Sequence, residues 1–364
     1  MRILLLSAYD TDSHRAWCQG LMQHMPQHEW CYLTLPGRYF SWRIRGNGLS
    51  FVYGEQAAQL QQPFDLILAT SMVDLATFKG LAPHLANTPS ILYCHENQFA
   101  YPKSDQQHTS VEPQMVNLYA ALAADHVLFN SEYNRQSFLQ GATALLKRLP
   151  DHAPLAAINS IQHKSQVLPV PITFNSSFTP KHFEKGDTLN VIWNHRWEYD
   201  KGPDTLAACI ELAHVRNLNV QFSVCGMSFR QKPEAFIRLQ QLNLPNVSHM
   251  GTFEKRSEYR QQLAEHHVVL STAIHEFQGL AVLEGAALGC TPLAPNRLAY
   301  PEWIPTENLY PNGSTEDEAA AICDQLHHWQ QQGLPPTVDV CHYDWQSLID
   351  KYEQCFQTLH NKKQ

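Results

Sequence analysis

Leu189-Asn190-Val191-Ile192-Trp193-Asn194, followed by His195-Arg196-Trp197-Glu198-Tyr199-Asp200-Lys201-Gly202-Pro203, decides how the whole chain is read. An apolar, β-branched run reads as a strand, a charged loop follows it, and Pro203 suits the first position of a helix. The run restarts an alternation that Pro169, Pro171, Asn175, Ser176, Ser177, Pro180 and Gly186 have just broken. Upstream, strands are expected near 2–8, 29–34, 64–69, 90–94, 126–129 and 165–169, with helices between most of them, one capped by Ser131. Downstream, strands follow near 219–225, 246–250, 267–271 and 291–294. Ser314, with Glu316, Asp317 and Glu318 behind it, opens a helix, and Trp345, Leu348, Tyr352 and Phe356 stripe a last helix near 343–360. Short buried strands alternating with amphipathic helices imply an α/β protein of two Rossmann-like, doubly wound domains, with the carboxyl ends of the strands facing a central cleft. The expected division is 1–172, a linker at 173–188, 189–340, and a C-terminal helix at 341–364 packing back on the first domain.

Composition bounds the function. A chain of 364 residues, 44% hydrophobic and 16% charged, is globular and long enough for two cores. No stretch approaches the roughly eighteen apolar residues of a membrane span. Met1-Arg2-Ile3-Leu4-Leu5-Leu6-Ser7 reads as a buried first strand and lacks the shape of a signal peptide. Nine scattered cysteines without CxxC spacing imply reduced thiols and a cytoplasmic location. A net charge of −8 argues against a surface that is basic throughout, yet leaves room for a local basic patch. The 20 histidines show no HxxxH or Cys/His grouping, so no metal site is expected. GxxxxGK[ST], GxSxG and GxGxxG are absent, which disfavours P-loop, hydrolase and dehydrogenase readings.

Three loops carry the chemistry. In His275-Glu276-Phe277-Gln278-Gly279-Leu280-Ala281-Val282-Leu283-Glu284, a strand at His267–Thr272 leads to a loop glutamate and then a helix of small residues. The helix start, Gln278-Gly279-Leu280, offers free amides and a dipole to an anion. Glu276 and Glu284 are separated by seven residues and suit a diol on either side of it, one near a sugar and one near a ribose. Spacing alone leaves open a surface glutamate followed by a helix glutamate. In the 194–202 loop, Arg196 and Lys201 can clamp a diphosphate, against the alternative of a solvated charged loop. His95, in Tyr93-Cys94-His95-Glu96-Asn97-Gln98, ends a first-half strand and is either a sugar-contacting group or a capping histidine. Asp10-Thr11-Asp12 has the form of a metal-binding DxD but follows the first strand, away from these loops, and is read as loop or acceptor-side.

Glu276-x7-Glu284 with Arg196-x4-Lys201-Gly202 resembles the large retaining GT-B glycosyltransferase family. That resemblance implies that Arg196 and Lys201 bind the donor diphosphate, Glu276 contacts the sugar, Glu284 the ribose, and His95 the sugar from the first domain. A narrower resemblance runs through Ile91–Gln98, Leu149-Pro150-Asp151-His152, His195–Lys201, Ser271–Phe277 and Tyr300-Pro301-Glu302, which are similar to the tRNA-queuosine α-mannosyltransferases. It implies GDP-mannose as co-substrate, no essential metal or cofactor, an acceptor-side first domain, a nucleotide-sugar-binding second domain, and tRNA containing queuosine as partner. The family's first loop is often Gly-Gly-Ser-His; here it is Thr11-Asp12-Ser13-His14, and losing both glycines changes the backbone approach beside the transferred sugar, a departure that bears on the acceptor more than on the donor. Ser13, His14 and Asn97 are expected on the acceptor side.

An RNA acceptor needs cations and stacking planes. Arg38, Tyr39, Phe40, Trp42, Arg43 and Arg45 form such a cluster, with Lys147 and Arg148 as further candidates; the alternative is a folded aromatic insertion. Competing functions are a GT-B transferase with another nucleotide sugar and a small or lipid acceptor, a nucleotide-sugar epimerase, and a non-catalytic nucleotide binder. No protein partner is implied.

Overall fold

The computed structural model describes residues 1–101, 110–148, 151, 153–174, 181–227 and 232–362. Residues 175–180 of the expected linker, and Leu149, Pro150 and His152, lie outside them. The chain forms two compact units, Met1–Pro171 with Trp345–Gln364, and Ile172–Asp344.

The first unit is built on β1 (Arg2–Asp10), β2 (Glu29–Pro36), β3 (Leu66–Thr70), β4 (Ser90–Cys94), β5 (His126–Phe129) and β6 (Ser165–Val167). The second holds β7 (Leu189–Trp193), β8 (Val220–Cys225), β9 (Val247–Gly251), β10 (Val268–Leu270), β11 (Thr291–Pro295) and β12 (Leu309–Tyr310). Every strand pairing is parallel. β12 alone is absent from the sequence-based expectation, because two residues carry no periodicity. All five residues of β3, and all five of β4, are buried, as a strand covered by helices on both faces requires.

Strand order is β2-β1-β3-β4-β5-β6 in the first sheet and β12-β11-β10-β7-β8-β9 in the second. The order reverses between β1 and β3, and between β7 and β10. Loops on either side of such a point diverge beyond the strand ends and leave a crevice for ligands. The helix caps follow the sequence. Ser131 Oγ accepts from the Asn134 amide at 3.0 Å. Ser314 and Asp317 exchange bonds in a complete capping box.

The last helix, Trp345–Asn361, belongs to the first unit. Its Tyr352 hydroxyl accepts from Trp17 Nε1 at 3.1 Å and donates to the Pro169 carbonyl at 2.9 Å. Trp345 occupies the space a Cβ at Gly20 would need, which explains a glycine inside the Asp12–His24 helix.

Candidate functional site

In the second unit the loops after β7 and β10 meet at the reversal point. Gly202, at φ +65°, ends the first loop and lets its backbone touch the second: a Cβ there would lie 1.9 Å from the Thr272 carbonyl oxygen. Thr272 Oγ1 donates to the Lys201 carbonyl at 2.8 Å and accepts from Trp193 Nε1 at 2.9 Å. Arg297 Nε, donating to the Ala273 carbonyl at 3.1 Å, braces the second loop from the end of β11.

Lys201 is buried among acceptors. Its Nζ donates to the His275 carbonyl at 3.0 Å and lies 3.2 Å from Asp200 Oδ2 and 3.3 Å from Glu276 Oε2. Burial opposes the ammonium charge, but Glu276 and Asp200 outweigh it and raise the pKa. Glu276 also accepts from the Phe277 amide at 3.0 Å. Burial would raise its pKa, yet Lys201, His195 and the Gly279 amide hold it down at about 2. The amides at the helix start thus face a carboxylate of the chain itself, Glu276.

Gly279 forms the N-cap of the Leu280–Ala287 helix at φ +84°, with Tyr300 packed where a Cβ would stand. Gln278 is buried, and Leu280 packs beside Leu283 and Ile172. Arg196 is half-exposed and pairs with Glu198 at 3.0 Å. Its charge acts on the neighbouring His195 and on Lys201, opposing the protonated form of each. Glu284 takes 3.3 Å bonds from Tyr259 and Arg256, and burial raises its pKa against them.

Several participants lie beyond what the sequence alone indicates. Asp200 is buried beside Lys201, and its backbone carbonyl accepts from the Ile274 and His275 amides. Asn194 Nδ2 donates to Tyr259 Oη and to the Ala281 carbonyl, both at 2.8 Å, so it ties β7 to the Glu284 helix. Its Oδ1 and His195 Nε2 are buried with no hydrogen-bond partner among the described residues. Burial, then the Lys201 charge, lower His195 to about 3, so its ring is neutral near pH 7. Two buried polar atoms awaiting partners suit a polar ligand. Gly226, after β8, is obligatory because a Cβ would stand 1.9 Å from the His195 carbonyl oxygen.

The first unit assembles its own cluster at the ends of β1, β3 and β4. Glu96 accepts from Ser71 Oγ at 2.6 Å and lies 3.0 Å from His14 Nε2. Burial opposes both charges, but each stabilises the other: Glu96 falls to about 2 and His14 rises. His95 stacks on His14 at 4.3 Å, with Trp17 edge-on at 4.7 Å. Burial and the His14 charge hold its pKa well below the usual range. His95 Nε2 has no partner among the described residues.

The other acceptor-side candidates separate. Ser13 is exposed beside Thr11. Asn97 is fully buried: Nδ2 donates to Asn134 and Ser137, and Oδ1 accepts from the Phe99 and Ala100 amides. Its amide is saturated, which makes it a support for the loop. Arg45 is spent on Asp74 at 2.7 Å and Glu112 at 3.1 Å. Arg38 lies over the Tyr39 ring, 5.5 Å from its centre, and Arg43 is buried. Lys147 and Arg148 are exposed at the end of the Glu132–Lys147 helix. Asp10 takes Arg15, Ser7 and Tyr32, and Asp12 pairs with Arg15. No cluster of three or more His, Cys, Asp or Glu placed for a metal occurs among the described residues.

Two doubly wound parallel sheets, each with chemistry-bearing loops at its reversal point, define the GT-B glycosyltransferase fold. The chain is similar over its full length, and that of the neighbour, to sucrose-phosphate synthase from Thermosynechococcus elongatus (TM-score 0.70, 16% identity). It is likewise similar to Anabaena Alr3699/HepE (TM-score 0.61, 16% identity, covering 98% of this chain and 100% of that one). A family model described as tRNA-queuosine alpha-mannosyltransferase N-terminal matches residues 2–172. The tRNA-queuosine alpha-mannosyltransferase of Drosophila melanogaster is 35% identical over 316 residues, 85% of this chain and 83% of the relative. The chain belongs to the tRNA-queuosine alpha-mannosyltransferase family.

Proposed function

We propose that this protein transfers mannose from GDP-mannose to the queuosine nucleoside of a tRNA, with retention at the anomeric carbon. What supports the reading is the contact between the β7 and β10 loops, which sets Lys201 against the His275 carbonyl and Glu276 just ahead of the Leu280–Ala287 helix, in a chain of this family.

The diphosphate of the donor takes charge from Lys201, Arg196 and the amides. Glu276 and Glu284 accept from hydroxyls of the sugar and the ribose. The bond from C1 to the β-phosphate oxygen breaks, and the electron pair leaves with GDP. The acceptor hydroxyl bonds C1 on the same face, and its proton passes to the departing phosphate oxygen. Glu276, engaged by Lys201 and the Phe277 amide, holds the sugar in this same-face mechanism. The reading needs no metal, because charge growing on GDP is met by the two cations and the helix amides.

No helix among the described residues is long and apolar enough to cross a membrane. A cytoplasmic location is part of the proposal, supported by nine cysteines that form no disulfide among the described residues.

Arg196→Ala tests the clamp. Half-exposed and outside the core, Arg196 can be removed without opening a cavity. Its loss is expected to weaken donor or transition-state binding by about 1.5–3 kcal/mol, about 10- to 150-fold in kcat/KM for GDP-mannose. Unchanged kinetics would refute the diphosphate clamp.

A further inference from the structure

We infer that the amino-terminal end of the Phe40–Tyr53 helix is a docking platform for a single-stranded RNA loop, with Tyr39 and Trp42 as stacking faces and Arg38 and Arg43 as phosphate partners. The inference rests on the tRNA acceptor proposed above.

Large aromatic side chains are normally buried, yet Tyr39 is 71% exposed and Trp42 is 54% exposed. Neither is loosely held. Tyr39 is the helix N-cap at φ 56°, ψ 55°, a left-handed conformation that costs a tyrosine energy and that natural sequences retain chiefly where it is used. Its ring has the Arg38 guanidinium on one face. The Trp42 indole lies over Gly46, so closely that a Cβ there would be 2.5 Å from its ring atoms. The glycine, one turn on, lets the indole lie flat with its outer face open. Leu49 and Tyr53, also exposed, continue the stripe along the helix.

Charge selects the occupant. The chain carries a net −8, yet no Asp or Glu occurs between Glu29 and Glu55, and Arg38, Arg43 and Arg45 lie in that interval. Arg45 is neutralised by Asp74 and Glu112. Arg43, only 9% exposed, is paired with no carboxylate among the described residues, and its Nε has no hydrogen-bond partner among them. A guanidinium whose Nε is buried without a partner and which meets no carboxylate among the described residues suits an anion. Aromatic faces beside unneutralised arginines match unstacked bases on a phosphate backbone, the form in which a tRNA loop presents a modified nucleoside.

The test is the affinity of the full chain for a queuosine-containing tRNA as salt is varied, with anionic phosphatidylserine vesicles as a second probe. GDP affinity and melting temperature are the fold controls. Trp42→Ala is expected to raise the tRNA Kd about 5- to 150-fold with the salt slope unchanged, as removal of a stacking face does. Arg38→Ala and Arg43→Ala are each expected to flatten the slope by about 0.7 for every phosphate the variant ceases to neutralise. Gly46→Ala keeps the tryptophan and favours the helix, so a weakened tRNA Kd in that variant reports displacement of the indole. A Trp42→Ala Kd within twofold of wild type overturns the platform, as does a Trp42 dependence seen for vesicles and not for tRNA. If wild type mannosylates tRNA and Trp42→Ala does so with the same KM, only the platform falls. If wild type neither binds nor mannosylates tRNA, the acceptor assignment falls and takes the platform with it.

Discussion

Lys201→Ala should abolish measurable transfer, with kcat/KM falling by at least about 10²–10³-fold, and should also destabilise the Ile172–Asp344 unit. Two effects add. The first is loss of a preorganised cation beside the departing phosphate, an interaction that acts more strongly in a site shielded from water. The second is structural. Asp200 is 2% exposed and has Lys201 within 3.2 Å, so removing the ammonium strands a buried carboxylate. Breaking such a pair by deleting one partner costs about 3–5 kcal/mol. Glu276, 3.3 Å from Nζ, loses the main influence holding its pKa down and becomes easier to protonate. Chemical denaturation and steady-state kinetics of the same variant separate the effects. A stable variant with kcat/KM within tenfold of wild type would remove Lys201 from the site.

Gly202→Ala should be nearly as damaging, although it deletes nothing. A residue other than glycine at φ +65° costs about 1–2 kcal/mol in the left-handed region. The added Cβ would stand 1.9 Å from the Thr272 carbonyl oxygen, a backbone atom that cannot swing aside. The loops after β7 and β10 must then part, which separates Lys201 from Glu276 and misaligns the clamp. The expected destabilisation is about 3–5 kcal/mol in total, with donor affinity down more than about tenfold. Gly186→Ala is the matched control, since Gly186 has φ +91° but nothing within 4 Å of a Cβ. It should show the conformational cost alone. Equal effects of the two substitutions, by urea unfolding, would mean that the contact between the loops carries no weight.

What is legible in the sequence, and what is not, divides on physical grounds. Strands covered on both faces are written as continuous apolar runs, so Leu66–Thr70 and Leu189–Trp193 can be read directly. Caps are equally local: Ser314 with Asp317, and Gly202 before Pro203, declare their helices within four residues. The site is half legible. Arg196, Lys201, Glu276 and Gly279 stand on two loops that spacing alone leaves ambiguous and that the family resemblance singles out. Asp200 looks like one more charge on a solvated loop, because the Ile274 and His275 amides that meet its backbone carbonyl are distant in sequence. Asn194 cannot be tied to Tyr259 and Glu284 until the fold brings them together. Arg45 reads with Arg38 and Arg43 as one cluster, whereas its partners, Asp74 and Glu112, are distant in sequence and neighbours in space. The motif of Asn97 suggests the acceptor side, yet the packing of Asn134 and Ser137 consumes its amide.

The central claim joins a donor to an acceptor, and one measurement addresses both: mass spectrometry of nucleosides from bulk tRNA after incubation with the protein and GDP-mannose. The account predicts that queuosine gains one hexose, and that Arg196→Ala slows the gain by about 10- to 150-fold. Queuosine left unmodified while GDP-mannose is bound or consumed, or a hexose gained only when UDP-glucose replaces it, would contradict the account.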